Sequence, residues 1–480
     1  MNVLDAISLM RNEALLTLLL LLLIIAEIAS GEDKKRVRSI AVIGMLIITL
    51  AGFALPLGQG RLFGGMFLQS DMTQLMKNIL NIGTFIVILQ SMQWISKEEN
   101  TTRTTEYFSL MISTLIGMSF MISSGDFIMF FIGLELATLP LAALASFEVS
   151  KSRSAEAGIK MILSAAFSSA LSLMGISFLY GIGGSIYFNE LSFTDLSNPL
   201  FIFAVILFFT GLAFKISLVP FHFWTADVYE GAPINISSYF SVMSKGAAVF
   251  ILLILFLKVF AGAESIWRIL LYVSAVLTMT VGNLFAIRQQ NIKRFLAFSS
   301  VAQAGFIMLG LYGGDSTSFN ATVYFILVYV FSNLGAFGVA AVISNETGKE
   351  RIDEYNGLYS TNPRLSLIML LSLFSLAGIP PLAGFFGKFF LFASAASQGS
   401  YLLVLIATLN ATVSLYYYLL VVKAMFINKS DDVIPAIKTE LFAKMALVIC
   451  VVGMILIGFV PDIHDGIQLM AENFLSYVTT

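Results

Sequence analysis

Four charged side chains stand near the middle of apolar segments in this chain of 480 residues. They are Glu135 in FIGLELATLP, Lys215 in GLAFKISLVP, Lys245 in SYFSVMSKGAAVF and Lys388 in GIPPLAGFFGKFF. A charge at the centre of a membrane-spanning helix costs about 2.5–3.5 kcal/mol on insertion scales, so such residues are rare and usually functional. A buried lysine beside a carboxylate can switch between its protonated and neutral forms, which is what a proton relay requires.

Two of the apolar segments are interrupted by proline. Pro220 follows Lys215 by five residues, and the pair Pro380–Pro381 precedes Lys388. Proline has no backbone N–H, so carbonyl groups one turn earlier lose their helical donor. The carbonyl groups predicted to be freed in this way are those of Ile216, Leu376 and Ala377. Irregular backbone at membrane depth is tolerated only where it is buried in protein or lines a hydrated cavity, so both interruptions mark candidate positions on an ion path.

The spacing around the first interruption predicts an ion pair. Glu135 precedes Pro140 by five residues, as Lys215 precedes Pro220, and we expect Glu135 and Lys215 to face each other. His222 lies just beyond the break, and its ordinary pKa near neutrality suits a way station for protons. A histidine so close to a tryptophan in a loop can equally be an amphipathic anchor at the membrane surface.

Other lysines have simpler explanations. A lysine near the end of an apolar segment usually extends its ammonium group to the lipid headgroups. The lysines interpreted in this way are Lys77, Lys160, Lys258 and Lys423. A central lysine can also be a structural partner of a buried carboxylate, with no role in transport.

The composition indicates an integral membrane protein and excludes several chemistries. Hydrophobic residues make up 58% of the chain and charged residues 12%, whereas soluble domains average about 25% charged residues. The single cysteine, Cys450, excludes disulfides, cysteine-ligated zinc and iron–sulfur clusters on this chain. The net charge of −2, without a long basic run, gives no indication of nucleic-acid binding.

Windows of roughly 20 apolar residues predict about fourteen membrane-spanning helices. Their predicted positions are 12–29, 37–57, 74–96, 107–123, 126–147, 156–182, 200–219, 232–259, 266–287, 294–312, 317–344, 364–396, 400–427 and 441–460. The first is interpreted as a retained helix rather than a signal peptide, because its basic residues follow the apolar stretch instead of preceding it.

The distribution of lysine and arginine predicts the orientation. The connections after odd-numbered spans carry most of the loop cations, which are Lys34, Lys35, Arg36, Arg38, Lys97, Arg103, Lys151, Arg153, Arg288, Lys293, Arg294, Lys349, Arg351, Arg364, Lys429, Lys438 and Lys444. The connections on the other side hold only Arg11, Arg61 and Arg268. Since loops rich in lysine and arginine face the cytoplasm, both termini are predicted to lie on the non-cytoplasmic side.

The two proline interruptions fall in the seventh and twelfth predicted spans. An offset of five helices predicts two five-helix repeats, spans 4–8 and 9–13, with inverted orientations, and paired interruptions in inverted repeats mark transport sites. The predicted fold is an all-α polytopic membrane protein with one membrane domain over 1–480. Its parts are N-terminal helices 1–3 in 1–105, a first repeat in 106–260, a second repeat in 261–428 and a C-terminal helix in 429–480.

Five stretches, in order, resemble the antiporter-like membrane subunits of respiratory complex I. They are GLELATLPL, EAGIKMILSAAFSSAL, GLAFKISLVPFHFWTADVYEGAP, KRFLAFSSVAQAGF and LAGIPPLAGFFGKFF. The resemblance covers about residues 105 to 425, and the DVYEGAP ending is similar to one branch of that family, the ND2 type. We expect no long amphipathic extension after the last span, which argues against the branch that carries one.

The resemblance assigns roles to residues at matching positions. Glu135 and Lys215 fall on the glutamate–lysine pair of the fifth and seventh helices, Lys245 on the lysine of the central hydrophilic axis, and Lys388 on the terminal lysine of the relay. At two further positions the residue matches the family but the resemblance alone does not fix its role, and at one position the residue differs from the family. His222 falls on the loop histidine, Lys160 falls on a family lysine, and many relatives carry histidine where this chain has Gln303.

The resemblance implies a proton-translocating subunit of NADH–quinone oxidoreductase in a bacterial inner membrane. Its implied partners are other complex I subunits, especially neighbouring antiporter-like subunits, together with the lipid bilayer and the transported protons. FMN and iron–sulfur clusters are then expected in partner subunits, with no cofactor and no metal on this chain. Two alternatives remain open: a subunit of a multisubunit sodium/proton antiporter, and a structural subunit whose lysines are paired but inert.

Overall fold

The computed structural model describes residues 3–31, 34–55, 58–191, 193 and 196–479, and this part of the chain is mainly helical. The first helices are α1 (Val3–Leu9), α2 (Arg11–Ser30), α3 (Lys35–Ala54), α4 (Asp71–Ile95), α5 (Glu98–Thr101) and α6 (Thr104–Ile122). A short antiparallel hairpin of β1 (Gly60–Leu62) and β2 (Phe67–Gln69) connects α3 to α4. The hairpin places Gln69 directly before the capping box with which Ser70 and Thr73 begin α4.

The next helices contain the first proline interruption. They are α7 (Phe127–Leu136), α8 (Leu139–Ala145), α9 (Ser152–Gly183), α10 (Pro199–Ile216), α11 (Phe223–Gly231), α12 (Ile234–Tyr239) and α13 (Lys245–Ile254). The π-helical turn Phe240–Ser244 joins α12 to α13, and a second π-helical turn, Leu255–Val259, follows α13. Together these segments form one candidate membrane span, Ile234–Val259.

The remaining helices contain the second interruption. They are α14 (Glu264–Ile287), α15 (Ile292–Gly313), α16 (Ser316–Thr347), α17 (Leu358–Thr361), α18 (Pro363–Ala377), α19 (Ala383–Ser397), α20 (Tyr401–Phe426), α21 (Leu441–Phe459) and α22 (Asp462–Thr479). Thirteen helices among the described residues are long and apolar enough to cross a membrane, and α18 and α19 are two shorter apolar helices. Taken together as one interrupted crossing, α18 and α19 complete the fourteen predicted spans, so the predicted polytopic all-α fold is confirmed.

Three crossings are interrupted. The helix ends at Ile216 in α10, where Ser217 adopts a left-handed φ of 69°, and it resumes at Phe223. α18 ends at Ala377, Gly378 has φ 87°, and α19 begins at Ala383. Both proline interruptions are therefore confirmed. The gap between α7 and α8 was not predicted, because Pro140 lies in the first turn of α8, where proline is compatible with a helix.

Buried helices occupy the centre of the bundle. More than four fifths of the apolar stretch is buried in α4, in α15, in α16 and in the span Ile234–Val259, whereas only about a third of it or less is buried in α2, α3, α9, α20 and α21. The outer helices expose large apolar side chains such as Ile28 and Phe167. A surface of this kind suits lipid or a neighbouring membrane subunit. The polar groups of the centre are thus screened from the bilayer by an outer layer of helices.

The chain continues beyond the fourteenth crossing. α22 is a short amphipathic helix of 18 residues, and the prediction that no long amphipathic extension follows the last span is consistent with it. Its apolar residues Ile467, Ala471 and Phe474 are buried, and the ring of Phe474 lies 5.4 Å from that of Phe319.

Candidate functional site

Lys215 joins two interrupted crossings. It lies in the last turn of α10 and is 2% exposed. Its Nζ donates to Thr138 Oγ1 at 2.5 Å and to the carbonyl oxygen of Ala137 at 3.4 Å. Both acceptors lie between α7 and α8, where the end of a helix leaves carbonyl groups available to side-chain donors. The buried ammonium group is therefore held by neutral oxygen atoms.

The predicted ion pair between Glu135 and Lys215 is not formed in this conformation. Glu135 lies in α7, three residues before Thr138, and its Oε1 is buried without a hydrogen-bond partner among the described residues. Thr138 and Ala137 provide oxygen atoms at the helix interruption, and binding them avoids the desolvation of a second charge. The charge of Glu135 still acts on Lys215, so the strength of this interaction depends on where the ammonium group rests.

Lys245 lies at the centre of the bundle. It is the first residue of α13, directly after the π-helical turn, and it is 2% exposed. Its Nζ donates to Ser300 Oγ in α15 at 2.9 Å and lies 5.9 Å from the centre of the Tyr229 ring. A π-helical turn inside an α-helix is frequent at functional sites, because it alters the direction of nearby side chains.

Lys388 bonds across the second interruption, from α19 to the end of α18. Its Nζ donates to the carbonyl oxygen of Ala377 at 3.1 Å and lies 4.5 Å from the centre of the Phe306 ring. The neighbouring carbonyl, that of Leu376, accepts a hydrogen bond from Gln303 Nε2 at 2.9 Å. The prediction that proline frees these two carbonyls for side-chain donors is thus confirmed.

Two sets of buried polar contacts, which start from the neighbouring residues Ser299 and Ser300, lie between Lys245 and the second interruption. Ser299, next to the serine that binds Lys245, forms a hydrogen bond of 2.6 Å with the Tyr418 hydroxyl. Gln303 Nε2 lies 3.1 Å from the same hydroxyl and also donates to Leu376. All four polar side chains are buried. Gln303 therefore lies between the Tyr418 hydroxyl and the second interruption.

His222 is buried rather than placed at an exposed surface. It is 6% exposed, and its Nδ1 has no hydrogen-bond partner among the described residues. Trp224 is also buried, and its indole donates to the carbonyl of Phe214 at 3.1 Å. The structure therefore does not support the interpretation of this pair as a surface anchor. The positive charge of Lys245 acts on His222, which brings the histidine into the electrostatic range of the central lysine.

Lys160 belongs to a separate group of charges, which we name the acid–base cluster. Its members are Arg153, Glu156, Lys160, Asp227, Glu230 and Arg294. Lys160 Nζ lies 2.6 Å from Asp227 Oδ2, and Arg294 Nη1 lies 2.9 Å from Asp227 Oδ1. Burial acts to raise the pKa of the Asp227 carboxyl, but its bonds to Lys160 and Arg294 outweigh burial and lower it. Lys160 thus lies in an ion-pair network at a partly exposed surface, apart from the buried lysines.

One lysine interpreted as a surface residue is fully buried. Lys77 is 0% exposed, and its Nζ lies 2.6 Å from Glu13 Oε1, so the prediction that Lys77 extends to the headgroups is wrong. Neither residue of this pair was identified from the sequence as functional. A signal was present, because the polar residues Gln74, Asn78 and Asn81 share helix α4 with Lys77. In an apolar span, that concentration of polar side chains indicates a protein interior rather than lipid.

The chain is similar to known membrane subunits. A family model described as NADH:quinone oxidoreductase/Mrp antiporter, TM matches residues 124–414. Over 464 residues the chain is 47% identical to NADH-quinone oxidoreductase subunit N of Azobacteroides pseudotrichonymphae genomovar. CFP2, which covers 96% of this chain and 97% of that protein.

Two solved structures extend the comparison. A chain of respiratory complex I from Thermus thermophilus with bound aureothin has a TM-score of 0.77 at 27% identity, covering 94% of this chain and 97% of that chain. A chain of the Mrp complex from Dietzia sp. DQ12-45-1b has a TM-score of 0.89 at 19% identity, covering both chains fully at 100%. The second likeness is one of fold alone.

Proposed function

The chain belongs to the NADH:quinone oxidoreductase/Mrp antiporter transmembrane family, and from that premise we propose that it is subunit N, of the ND2 type, of a proton-translocating NADH–quinone oxidoreductase. The observation that carries this proposal is the presence of two sets of buried polar contacts between Lys245 and Lys388. The 47% identity to a subunit N over nearly the whole chain supports the same assignment. As part of that complex, the chain contributes proton transport to a redox-driven translocase.

The first step of the proposed mechanism is a change in the position of the Lys215 ammonium group. While Thr138 and Ala137 hold it, the interaction with Glu135 is indirect. A shift of the ammonium group toward the carboxylate would favour the charged form of the lysine, and separation would favour proton release. Conformational energy from the redox reaction in partner subunits would move the group between these two positions.

The later steps use the axis of buried lysines. A proton released near Lys215 would reach Lys245, pass along the connection that contains Ser300 and Tyr418, and load Lys388. His222 would assist as a buried group near Lys245, and Lys160 would hold the acid–base cluster together at the surface end of α11. These residue roles rest on geometry and on the family resemblance.

We propose that the redox centres lie in partner subunits. FMN and iron–sulfur clusters would accept and carry the electrons there, while this chain moves protons. Its single cysteine, Cys450, is buried in α21, and the described residues contain no group of three or more His, Cys, Asp or Glu side chains that could hold a metal ion. Neighbouring antiporter-like subunits and lipid would cover the exposed apolar faces of the outer helices.

The proposed topology places both termini on the non-cytoplasmic side of a bacterial inner membrane. It is supported by the concentration of lysine and arginine in the connections after odd-numbered crossings. We further propose that 106–260 and 261–428 are inverted repeats, with 1–105 as N-terminal helices and 429–480 as the C-terminal part. The interruptions at α10–α11 and at α18–α19 support the repeat, since they fall in the same place in each unit.

Replacing Thr138 by valine tests the first step. Thr138→Val keeps the shape of the side chain and removes the hydroxyl that holds Lys215, a hydrogen bond to a charged group worth about 1.5–3 kcal/mol. We expect a lower thermal unfolding midpoint and slower proton pumping per quinone reduced, because Lys215 loses one of its two resting positions. Thr49→Val is the matched control, since Thr49 is buried and bonds only the carbonyl of Met45 in its own helix. Equal pumping by the two variants would contradict the proposed step.

A subunit of a sodium/proton antiporter is the second candidate, favoured by the likeness in fold to the Mrp complex chain. The deciding experiment is to tag this chain, extract it gently in detergent and assay the co-purified complex. We expect NADH-dependent quinone reduction together with iron–sulfur absorbance. A colourless complex that exchanges sodium for protons would replace the proposed function with the antiporter.

A further inference from the structure

The ion pair of Glu13 and Lys77 is the most deeply buried pair of opposite charges among the described residues. The exposed fractions of the two side chains are 3% and 0%, and the closest nitrogen–oxygen distance is 2.6 Å. Glu13 lies in the first turn of α2 and Lys77 in the second turn of α4. Both lie outside 124–414, the region that the family model matches.

The hairpin between α3 and α4 covers the lysine. Gln69, at the end of β2, accepts a hydrogen bond of 3.0 Å from Lys77 Nζ, and the centre of the Phe67 ring lies 4.8 Å from the same atom. Gln69 in turn contacts Gln74 at 3.3 Å. The ammonium group is therefore fixed on three sides by a carboxylate, an amide oxygen and an aromatic ring.

The carboxylate lies next to a groove that opens at the protein surface. Glu13 lines this groove, of about 470 Å³, together with Met10, Thr17 and Phe63, and the side chains of its other lining residues are apolar. Its Oε2 is buried and has no hydrogen-bond partner among the described residues. An ionised carboxylate with an unsatisfied buried oxygen is costly, and protonation of Glu13 would lower that cost.

The helix that carries Lys77 packs against the span that carries Lys245. Gly246 follows Lys245, and a Cβ placed on it would lie 3.3 Å from Met76 and 3.8 Å from Leu80, which come one residue before and three residues after Lys77 in α4. One turn beyond Lys77, Asn81 donates to Asn12 at 2.8 Å.

The polar face of α4 continues toward a second buried group. Thr84 donates to the carbonyl of Leu80 in its own helix at 2.8 Å, and the Tyr239 hydroxyl in the neighbouring span bonds Thr114 at 2.8 Å. All three side chains are buried. The α4 helix that carries Lys77 thus also carries further buried polar groups, and it packs against the span that carries Lys245.

We propose that Glu13 and Lys77 form a second proton-exchange site of this subunit, at the membrane side on which the chain begins. In the proposed step an N–H bond of the Lys77 ammonium group breaks as an O–H bond forms on Glu13, which leaves a neutral amine and a neutral acid. The acid then releases its proton at the surface groove, which leaves the carboxylate, and a proton from the central axis restores the ammonium group. The proposal rests on the proposed function, because it needs the axis to supply protons.

The test is a pair of variants in the whole complex, reconstituted in lipid vesicles, with NADH-driven proton uptake and quinone reduction measured together. We expect Glu13→Gln to lose proton uptake while quinone reduction persists when an uncoupler is added. The double variant Glu13→Gln/Lys77→Met, which removes both charges, should show the same loss. Glu27→Gln is the matched control, because Glu27 also lies in α2 and bonds Lys34 and Thr105 at a partly exposed position.

Each outcome decides between a proton-exchange site and a structural pair. Recovery of proton uptake in the double variant would overturn the proposal, since a purely structural pair is replaceable by neutral side chains. Normal uptake by Glu13→Gln would overturn it as well. If Glu13→Gln alone does not assemble, uptake by the assembled double variant decides in the same way. A Lys388→Met complex that pumps normally would mean that the proposed function itself has failed.

Discussion

Replacing Lys388 by methionine is expected to abolish proton pumping and leave the complex assembled. Methionine fills a similar volume beside Phe306 but has neither the charge nor the donor that binds the Ala377 carbonyl. Loss of a positioned proton carrier slows proton transfer by about 100-fold or more. Vesicle acidification driven by NADH should fall to background, while quinone reduction persists when an uncoupler is added.

An arginine at the same position distinguishes the effect of losing proton transfer from the effect of losing the positive charge. Lys388→Arg keeps a positive charge and a donor for the Ala377 carbonyl, but arginine does not release its proton in proteins. We therefore expect the arginine variant to be as defective in pumping as the methionine variant and more stable. Lys423→Met, at an exposed position in the last turn of α20, is the control for loss of a lysine. An arginine variant that pumps at the rate of the unaltered complex would show that Lys388 is a structural cation.

The crossings and the two proline interruptions could be predicted from sequence because each depends on local chemistry. Apolar length sets a span, and proline removes a donor wherever it stands. The acceptors of Lys388 and Gln303 could be anticipated for this reason, since Pro380–Pro381 frees carbonyls at a known distance along the chain. Central lysines could be identified because their cost in an apolar segment does not depend on which helix lies beside them.

The partners of those lysines could not be predicted, because they depend on packing between helices far apart in sequence. Lys215 bonds Thr138 instead of Glu135 because an unpredicted helix interruption provides neutral acceptors within reach. Lys77 lies near the beginning of its helix, where a lysine usually reaches the headgroups, but the preceding hairpin covers it. Asp227 was missed because its role appears only when α9, α11 and α15 meet.

Replacing Gln303 by leucine is expected to weaken both stability and pumping. The Gln303 amide donates to the Leu376 carbonyl and to the Tyr418 hydroxyl, and leucine would leave the buried carbonyl without this donor, while the hydroxyl keeps its bond to Ser299. An unsatisfied buried polar group costs about 1–3 kcal/mol, so the thermal unfolding midpoint should fall. Pumping should slow because the polar connection between Lys245 and Lys388 is broken. The measurements are the unfolding midpoint of the complex and proton uptake per quinone reduced.

A histidine variant tests whether the side chain at position 303 takes up a proton or only holds its hydrogen-bonded neighbours in place. Imidazole can donate to the Leu376 carbonyl and accept from Tyr418, and it can also take up a proton, which a glutamine amide cannot. If the amide only holds the chain of hydrogen bonds in place, Gln303→His should restore stability relative to leucine and pump at least as fast as the glutamine form. Normal pumping by Gln303→Leu would contradict the connection, since protons would then travel from Lys245 to Lys388 by a route that avoids this residue. Slower pumping by the histidine variant would instead mean that a second titratable group between the lysines traps the proton, and that a neutral amide is what transfer through this site requires.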